Sequence, residues 1–407
     1  MVWKMKKRIY QIFCISGMII LLGFGTAYFL AEQRTMSGAE ELTSFPAFSF
    51  SAYLEGDFQD SFEQAAKDQF ILYDRSVAWN ADWNAKVKGA GKRISSFLRG
   101  KGLREELEPF GKVYRMYESE WLMNLPYSYE EETEAAYRKK AGEINDFANA
   151  HPDMQVYVYY CTRAEDLNWF DEVEGLKSYP WYELLKGSLQ DTIRFDRMKF
   201  RDFSEYQSRM YRTDHHWNHI GAAVGYADIL HMMSKDYDMG MAKSILKEQD
   251  YGNLLWIGSR ARECGRNVEN EDMDIFTVNE YILPQHRTWF GNKEQDIGLK
   301  KSYDNGAVNR EIGFDQYLNY FGFESDVITL RYDSGEHNLL IIGDSFARVI
   351  REPLSSHFKT TVFVNFRILK QVDLEKICQE NEIDTVLFMG QQDAWSGYFL
   401  NKEEEVK

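Results

Sequence analysis

The chain has 407 residues, 44% of them hydrophobic, and carries a formal net charge of −16 at pH 7. An acidic surplus of this size excludes a basic nucleic-acid footprint and disfavours anionic membrane surfaces, leaving neutral glycans or cationic polymers as the better partners. Four cysteines, Cys14, Cys161, Cys264 and Cys378, are too few for a disulfide framework, so the body must be held by a hydrophobic core.

Residues 9–31, IYQIFCISGMIILLGFGTAYFLA, contain no charge and are long enough to cross about 30 Å of hydrocarbon at about 1.5 Å per residue. Lys4, Lys6, Lys7 and Arg8 precede the run. Residues 1–8 therefore read as a cytoplasmic tail, 9–31 as a transmembrane signal anchor, and the rest as extracytoplasmic. A cleaved signal peptide is the competing reading, but the run is long for one and Phe29-Leu30-Ala31 lacks small residues at both cleavage positions. Residues 32–50 read as a stalk and 51–407 as the body. Within the body, Phe58, Phe62, Ala65, Ala66, Gln69, Phe70 and Tyr73 share one side of a helix predicted over 57–84. A second helix is predicted over 130–150, and MQVYVYYC, 154–161, reads as a strand from its Val and Tyr content.

Next comes TDHHWNHI, 213–220. Asp214 and His216 stand two apart, so in an extended segment they share a side, and the carboxylate can receive the proton of one imidazole nitrogen while the other stays free as a base. Asn218 is a predicted N-cap for a helix on which Ile220, Val224, Ala227 and Leu230 recur. A metal site is the rival reading, because His215 and His219 stand four apart beside Asp214 and His216. It lacks the glutamate of helical zinc hydrolases, and the N-cap would break the helix between the two histidines. Trp217 reads as packing beside the base. Residues from about 235 to 330 show no clear period and read as a strand-poor insertion or cap. Its Trp256, Trp289, Tyr281 and Phe290 could stack on sugars, although core packing is the better expectation.

NLLIIGDSFA, 338–347, follows. Leu339 to Ile342 form an apolar run without alternation, as a buried central strand does, and Ser345 falls at the turn into a helix predicted over 346–358, with Pro353 kinking or bounding it. A serine hydroxyl needs a base in reach and an acid to orient that base. Ser345, His216 and Asp214 supply the three roles, with backbone N–H groups at Ser345 and its neighbours as oxyanion donors. Strands are also predicted just ahead of Arg367 in VFVNFRI, 362–368, and at 384–389, the latter followed by Gly390-Gln391-Gln392-Asp393. The alternation of helix and strand predicts an α/β fold with a parallel sheet covered on both faces, its site beyond the carboxyl ends of the strands.

DHHW, Gly221-Ala222-Ala223 and the late LLIIGDSFARVIREPLSSHF together resemble the DHHW family and the SGNH-hydrolase-like acetyltransferases related to alginate O-acetyltransferase proteins. DQFILYDR, 68–75, looks like their Asp-x-Phe segment ending in Arg. The resemblance spans most of 50–396 and is thin between about 235 and 330. It implies a three-layer α/β/α domain with Asp214, His216 and Ser345 as triad and no role for His215. In the alginate-type members such a triad moves acetyl groups onto polysaccharide hydroxyls, with acetyl supplied through a membrane-bound O-acyltransferase. One departure is the missing Gly-x-Asn-Asp loop that carries an oxyanion asparagine. A glutamine carboxamide donates the same bond, so Gln391 and Gln392 join Gly343 and Arg367, the last where relatives carry an arginine, as candidates for oxyanion or substrate contacts.

The expectation is thus a membrane-anchored O-acetyltransferase acting on cell-surface or secreted polysaccharide, with no cofactor and no metal. The alternatives are a carbohydrate acetyl esterase of the same fold, and a non-catalytic glycan-binding or scaffolding subunit of an export complex.

Overall fold

Among the described residues eight strands form the central sheet, and the apolar runs of its inner strands explain its depth. The computed structural model describes residues 107–397 except 111–112, 117–120, 126–127, 168–177, 264–272, 292, 295–307, 309, 311–313, 323–326 and 333–334. The predicted anchor at 9–31, the stalk, the 57–84 helix and the DQFILYDR segment lie outside the described residues. Among the described residues no helix is long and apolar enough to cross a membrane.

In chain order the strands are β1 (Leu107–Phe110), β2 (Val113–Met116), β3 (Leu122–Met123), β4 (Gln155–Tyr160), β5 (Arg194–Arg197), β6 (Ile245–Gln249), β7 (Leu255–Trp256), β8 (Asp274–Ile275), β9 (Val278–Tyr281), β10 (His286–Phe290), β11 (Lys293–Glu294), β12 (Ile328–Tyr332), β13 (Asn338–Gly343), β14 (Thr360–Asn365) and β15 (Thr385–Gly390). The helices are α1 (Glu131–Ala150), α2 (Trp181–Ser188), α3 (Phe203–Arg209), α4 (His219–Met233), α5 (Ser259–Glu263), α6 (Gln316–Phe321), α7 (Ser345–Ser355), α8 (Leu374–Glu380) and α9 (Gln392–Ser396). The main sheet runs in the order β11-β10-β12-β14-β13-β15-β4-β5.

From β14 to β5 every pairing is parallel, with Ile342 opposite both Val364 and Phe388. The other edge departs from the expected parallel sheet, because β12 runs antiparallel to β14, and β10 and β11 continue antiparallel. Connection length gives the reason. Only residues 333–337 join β12 to β13, and a parallel return needs a crossover of roughly a dozen residues or more. The sheet is therefore mainly parallel with an antiparallel edge.

β13 is buried along its whole length, which is why its sequence does not alternate. Leu339 and Ile341 face one core with Phe346, Ile350 and Leu354 of α7 and Ala222 and Ile229 of α4. Leu340 and Ile342 face the other, with Tyr137 of α1, Trp181 of α2 and Trp395 of α9. Each such fully buried aliphatic side chain contributes about 1.5–3 kcal/mol of transfer free energy, so β13 anchors both layers at once. Pro353 lies inside α7, close to its end.

One expectation on element content is corrected. The stretch from 235 to 330 is not strand-poor: β6 pairs β9, β7 pairs β8, and β10 and β11 extend the main sheet. These strands are two to five residues long, too short to print a period on the sequence. The strand expected ahead of Arg367 spans Thr360–Asn365 and stops where the Asn365 side chain accepts the N–H of Arg367, opening a 3₁₀ turn over Phe366–Gln371.

Candidate active site

Ser345 begins α7 directly after β13. The turn is held by Asp344, whose Oδ1 accepts the N–H of Phe346 at 2.9 Å and whose Oδ2 accepts the N–H of Gln391 at 2.8 Å. One carboxylate thus clamps the end of β13 to the end of β15. Burial raises its pKa, against the pull of those two N–H groups. Gly343 is required for closeness, since a Cβ there would come within 2.6 Å of the Ala347 methyl.

The imidazole of His216 bridges the other two side chains. Its Nε2 lies 2.6 Å from Ser345 Oγ and its Nδ1 lies 2.6 Å from Asp214 Oδ1. With Nδ1–H donating to the carboxylate, Nε2 presents its lone pair to the serine hydroxyl. Asp214 Oδ1 also accepts the N–H of His216 at 2.8 Å, and Oδ2 accepts the N–H of Ser259 at 2.6 Å. Burial alone would raise the Asp214 carboxyl, but the His216 and His215 rings and these hydrogen bonds outweigh it and hold the group well below the usual carboxylate range. It is therefore an anion, as the orienting role needs.

His215 sits beside His216, its ring 3.9 Å from that of His216 and its Nδ1 2.7 Å from Ser259 Oγ. Burial first, and the neighbouring imidazole second, push its pKa well below the ordinary histidine value. It stays neutral. Of the four residues of the metal reading, Asp214, His215 and His216 offer atoms within 4.8 Å of one another, while His219 turns to Thr277 Oγ1 at 2.7 Å and toward Glu248. Asn218 causes this by capping the N–H groups of Ile220 and Gly221, so that α4 starts between the two histidines. Both nitrogens of His216 are engaged within the Asp–His–Ser sequence.

A second layer fixes the DHHW loop. Asp274 accepts the N–H of Arg212 at 3.0 Å and both the N–H and the hydroxyl of Thr213, at 2.8 and 2.7 Å. Arg260, buried, donates to the carbonyl of Asp214 at 3.0 Å and to that of Leu122 at 3.2 Å, and pairs with the buried Glu165. Gly258 leaves room for this approach, because a Cβ there would meet the Thr213 carbonyl oxygen at 2.3 Å. Tyr317 stacks on the His216 ring at 3.9 Å and 17°, and its hydroxyl donates to the Ser345 carbonyl at 2.9 Å. Trp217 is buried edge-on against Phe346 at 5.3 Å, as packing.

The remaining candidates scatter. Gly343 lies in the ladder between Asn365 and Met389. Gln391 stands at the N-cap position of α9 without a side-chain cap bond, its N–H given to Asp344 and its Nε2 to the Asp393 carboxylate at 3.1 Å. Gln392 is half-buried on the first turn of α9. Arg367 is exposed on the turn after β14 and hydrogen-bonds only through its backbone N–H among the described residues. The expected backbone oxyanion donors shrink as well. Phe346 gives its N–H to the Asp344 carboxylate and Ala347 to the Asp344 carbonyl, which leaves Ser345 itself as the donor at the helix start. Trp256 is core, and Trp289 lies between Arg287 and Arg331.

No protein-family model matches the chain, and no curated protein matches it. Solved structures do. PatB1 of Bacillus cereus is 18% identical with a TM-score of 0.55, over 74% of this chain and 100% of that one. The same protein with a sulfonyl adduct gives 17% and 0.57, over 72% and 100%. A DHHW family protein from Eubacterium siraeum gives 14% and 0.53, over 73% and 99%. The chain shares its fold with a DHHW family protein. In this chain the aspartate and the second histidine of the 214–217 motif are linked to the serine that follows the central strand.

Ser259, Arg260, Glu165, Asp274 and Tyr317 carried no mark in the sequence. Glu165 and Arg260 are 95 residues apart and Tyr317 and Ser345 are 28 apart, and no local spacing encodes such pairs. Asp344 was legible in principle, as an N-cap type immediately before a helix.

Proposed function

We propose that this chain is a membrane-anchored, extracytoplasmic O-acetyltransferase of the three-layer SGNH-hydrolase-like type, acting on hydroxyls of a cell-surface or secreted polysaccharide. The observation that supports it most is the unbroken hydrogen-bond sequence from Asp214 through His216 to Ser345 Oγ, 2.6 Å at each step. His216 Nε2 takes the Ser345 proton as Oγ attacks the carbonyl of an activated acetyl donor. The Ser345 N–H at the helix start faces the oxyanion, and a donor of that kind is worth about 2.7–4 kcal/mol in the transition state. The imidazolium returns its proton to the leaving group, and an acetyl ester remains on Ser345. An acceptor hydroxyl then gives its proton to His216 and attacks that ester, the ester C–O bond to Ser345 breaks as the imidazolium returns the proton to Oγ, and the O-acetylated sugar leaves. Asp214 holds the tautomer throughout.

Residues 9–31 would hold the protein in the membrane with the body outside, where a membrane-bound O-acyltransferase would deliver the acetyl group. PatB1, similar in fold, has been captured with a sulfonyl adduct, a bond that an activated hydroxyl can make. The test treats full-length protein with phenylmethylsulfonyl fluoride and, separately, with an activated acetyl ester with and without oligosaccharide acceptor. Label on Ser345 and acceptor-dependent acetyl transfer support the proposal. Release of acetate that ignores every acceptor favours the esterase, and label elsewhere rejects Ser345 as nucleophile.

A further inference from the structure

Behind the imidazole stands a column of rings that no motif announced. The His216 ring lies 3.9 Å from Tyr317 at 17°, and Tyr317 lies 5.9 Å from Trp256 at 15°. Tyr317 comes from α6 and Trp256 from β7. They are 3% and 1% exposed, so neither offers a platform to substrate. The Tyr317 hydroxyl donates to the carbonyl of Ser345 at 2.9 Å. A single side chain therefore touches both the base and the backbone of the nucleophile.

We propose that Tyr317 is a positioning residue for the triad, seating the His216 ring with its face and fixing the Ser345 backbone with its hydroxyl; this rests on reading Ser345 as the nucleophile. Two physical effects follow. The hydroxyl bond stops the first turn of α7 from shifting relative to the imidazole, and small misplacements at a reacting centre cost rate steeply. The ring face carries partial negative charge and favours the imidazolium that forms when His216 takes the serine proton. Burial, opposed by Arg348, keeps the phenol protonated and so a donor. The charged and titratable groups around the base are Asp214 and His215 on its own loop, Asp344 and Arg348 at the start of α7, and Arg260 behind the Asp214 carbonyl. Removing the protonated Tyr317 changes no charge in this set.

The test compares full-length wild type, Tyr317→Phe and Tyr317→Leu in acetyl-ester turnover across pH, and follows the His216 ring protons by NMR over the same range. Tyr317→Phe keeps the stack and loses the tether, so kcat falls about tenfold or more while KM and the acid limb stay in place. Tyr317→Leu loses both, and its acid limb moves about half a pH unit or more toward lower pH, with the NMR titration moving alike. A folded Tyr317→Leu with the wild-type acid limb and NMR titration overturns the seating role. Tyr317→Phe with wild-type kcat overturns the tether. The NMR titration reads the stack whether or not acetyl transfer occurs, so an inert wild type would reject the proposed function without deciding this one.

Discussion

Asp214 shows how much a single carboxylate is asked to do: it holds the His216 ring through Nδ1, caps the loop backbone and takes the Ser259 N–H. Asp214→Asn should leave the fold in place and lower turnover by roughly 10⁴, since an amide can enforce the wrong imidazole tautomer; single-turnover acetylation of Ser345 measures it. A drop below tenfold would remove Asp214 from the mechanism. Glu165 acts one layer out. Glu165→Ala strands the Arg260 guanidinium without its buried partner and should cost about 3–5 kcal/mol in urea unfolding, because the cation can neither reach water nor give up its proton. At this scale the sequence was half legible. Asp214, His216 and Ser345 could be chosen because their residue types carry chemistry, whereas Arg260 and Tyr317 act through contacts that no spacing encodes.

Elements were legible wherever one was long and fully buried. β13 and α1 stood out because apolar or helix-forming runs filled their whole length, and Asn218 marked the start of α4 by capping chemistry. Strands of two to five residues between 245 and 294 escaped, as did the antiparallel edge, which depends on the short link between β12 and β13. Helix packing also supplies a pH test. His357, just past α7, accepts from the Tyr226 hydroxyl of α4 at 2.6 Å and donates to the Met239 carbonyl at 2.7 Å. Burial lowers its pKa to about 4. The unfolded chain, with histidine near about 6.5, binds the proton first, so stability is complete above that value and declines as pH falls toward about 4. Thermal melts across this window should show the decline, and His357→Gln should flatten it; an unchanged slope would mean another group is responsible.

For the whole molecule, the acidic surplus and the apolar run make a joint statement about place. Full-length protein should sediment with membranes and lose its body to protease added outside intact cells, while a chain lacking residues 1–31 should be soluble. A truncated chain that still sediments would remove the anchor from the argument. Parts that looked separate in the sequence are also mechanically one. The loop that carries the base is fastened by Asp274, Ser259 and Arg260, all from the stretch first read as an appendage, and that same stretch supplies Tyr317. Recombination between relatives that traded this stretch as a module would therefore swap the bracket of the reactive imidazole along with it. Chimeras should lose turnover even when both parents are active, unless the DHHW loop travels with its fastenings.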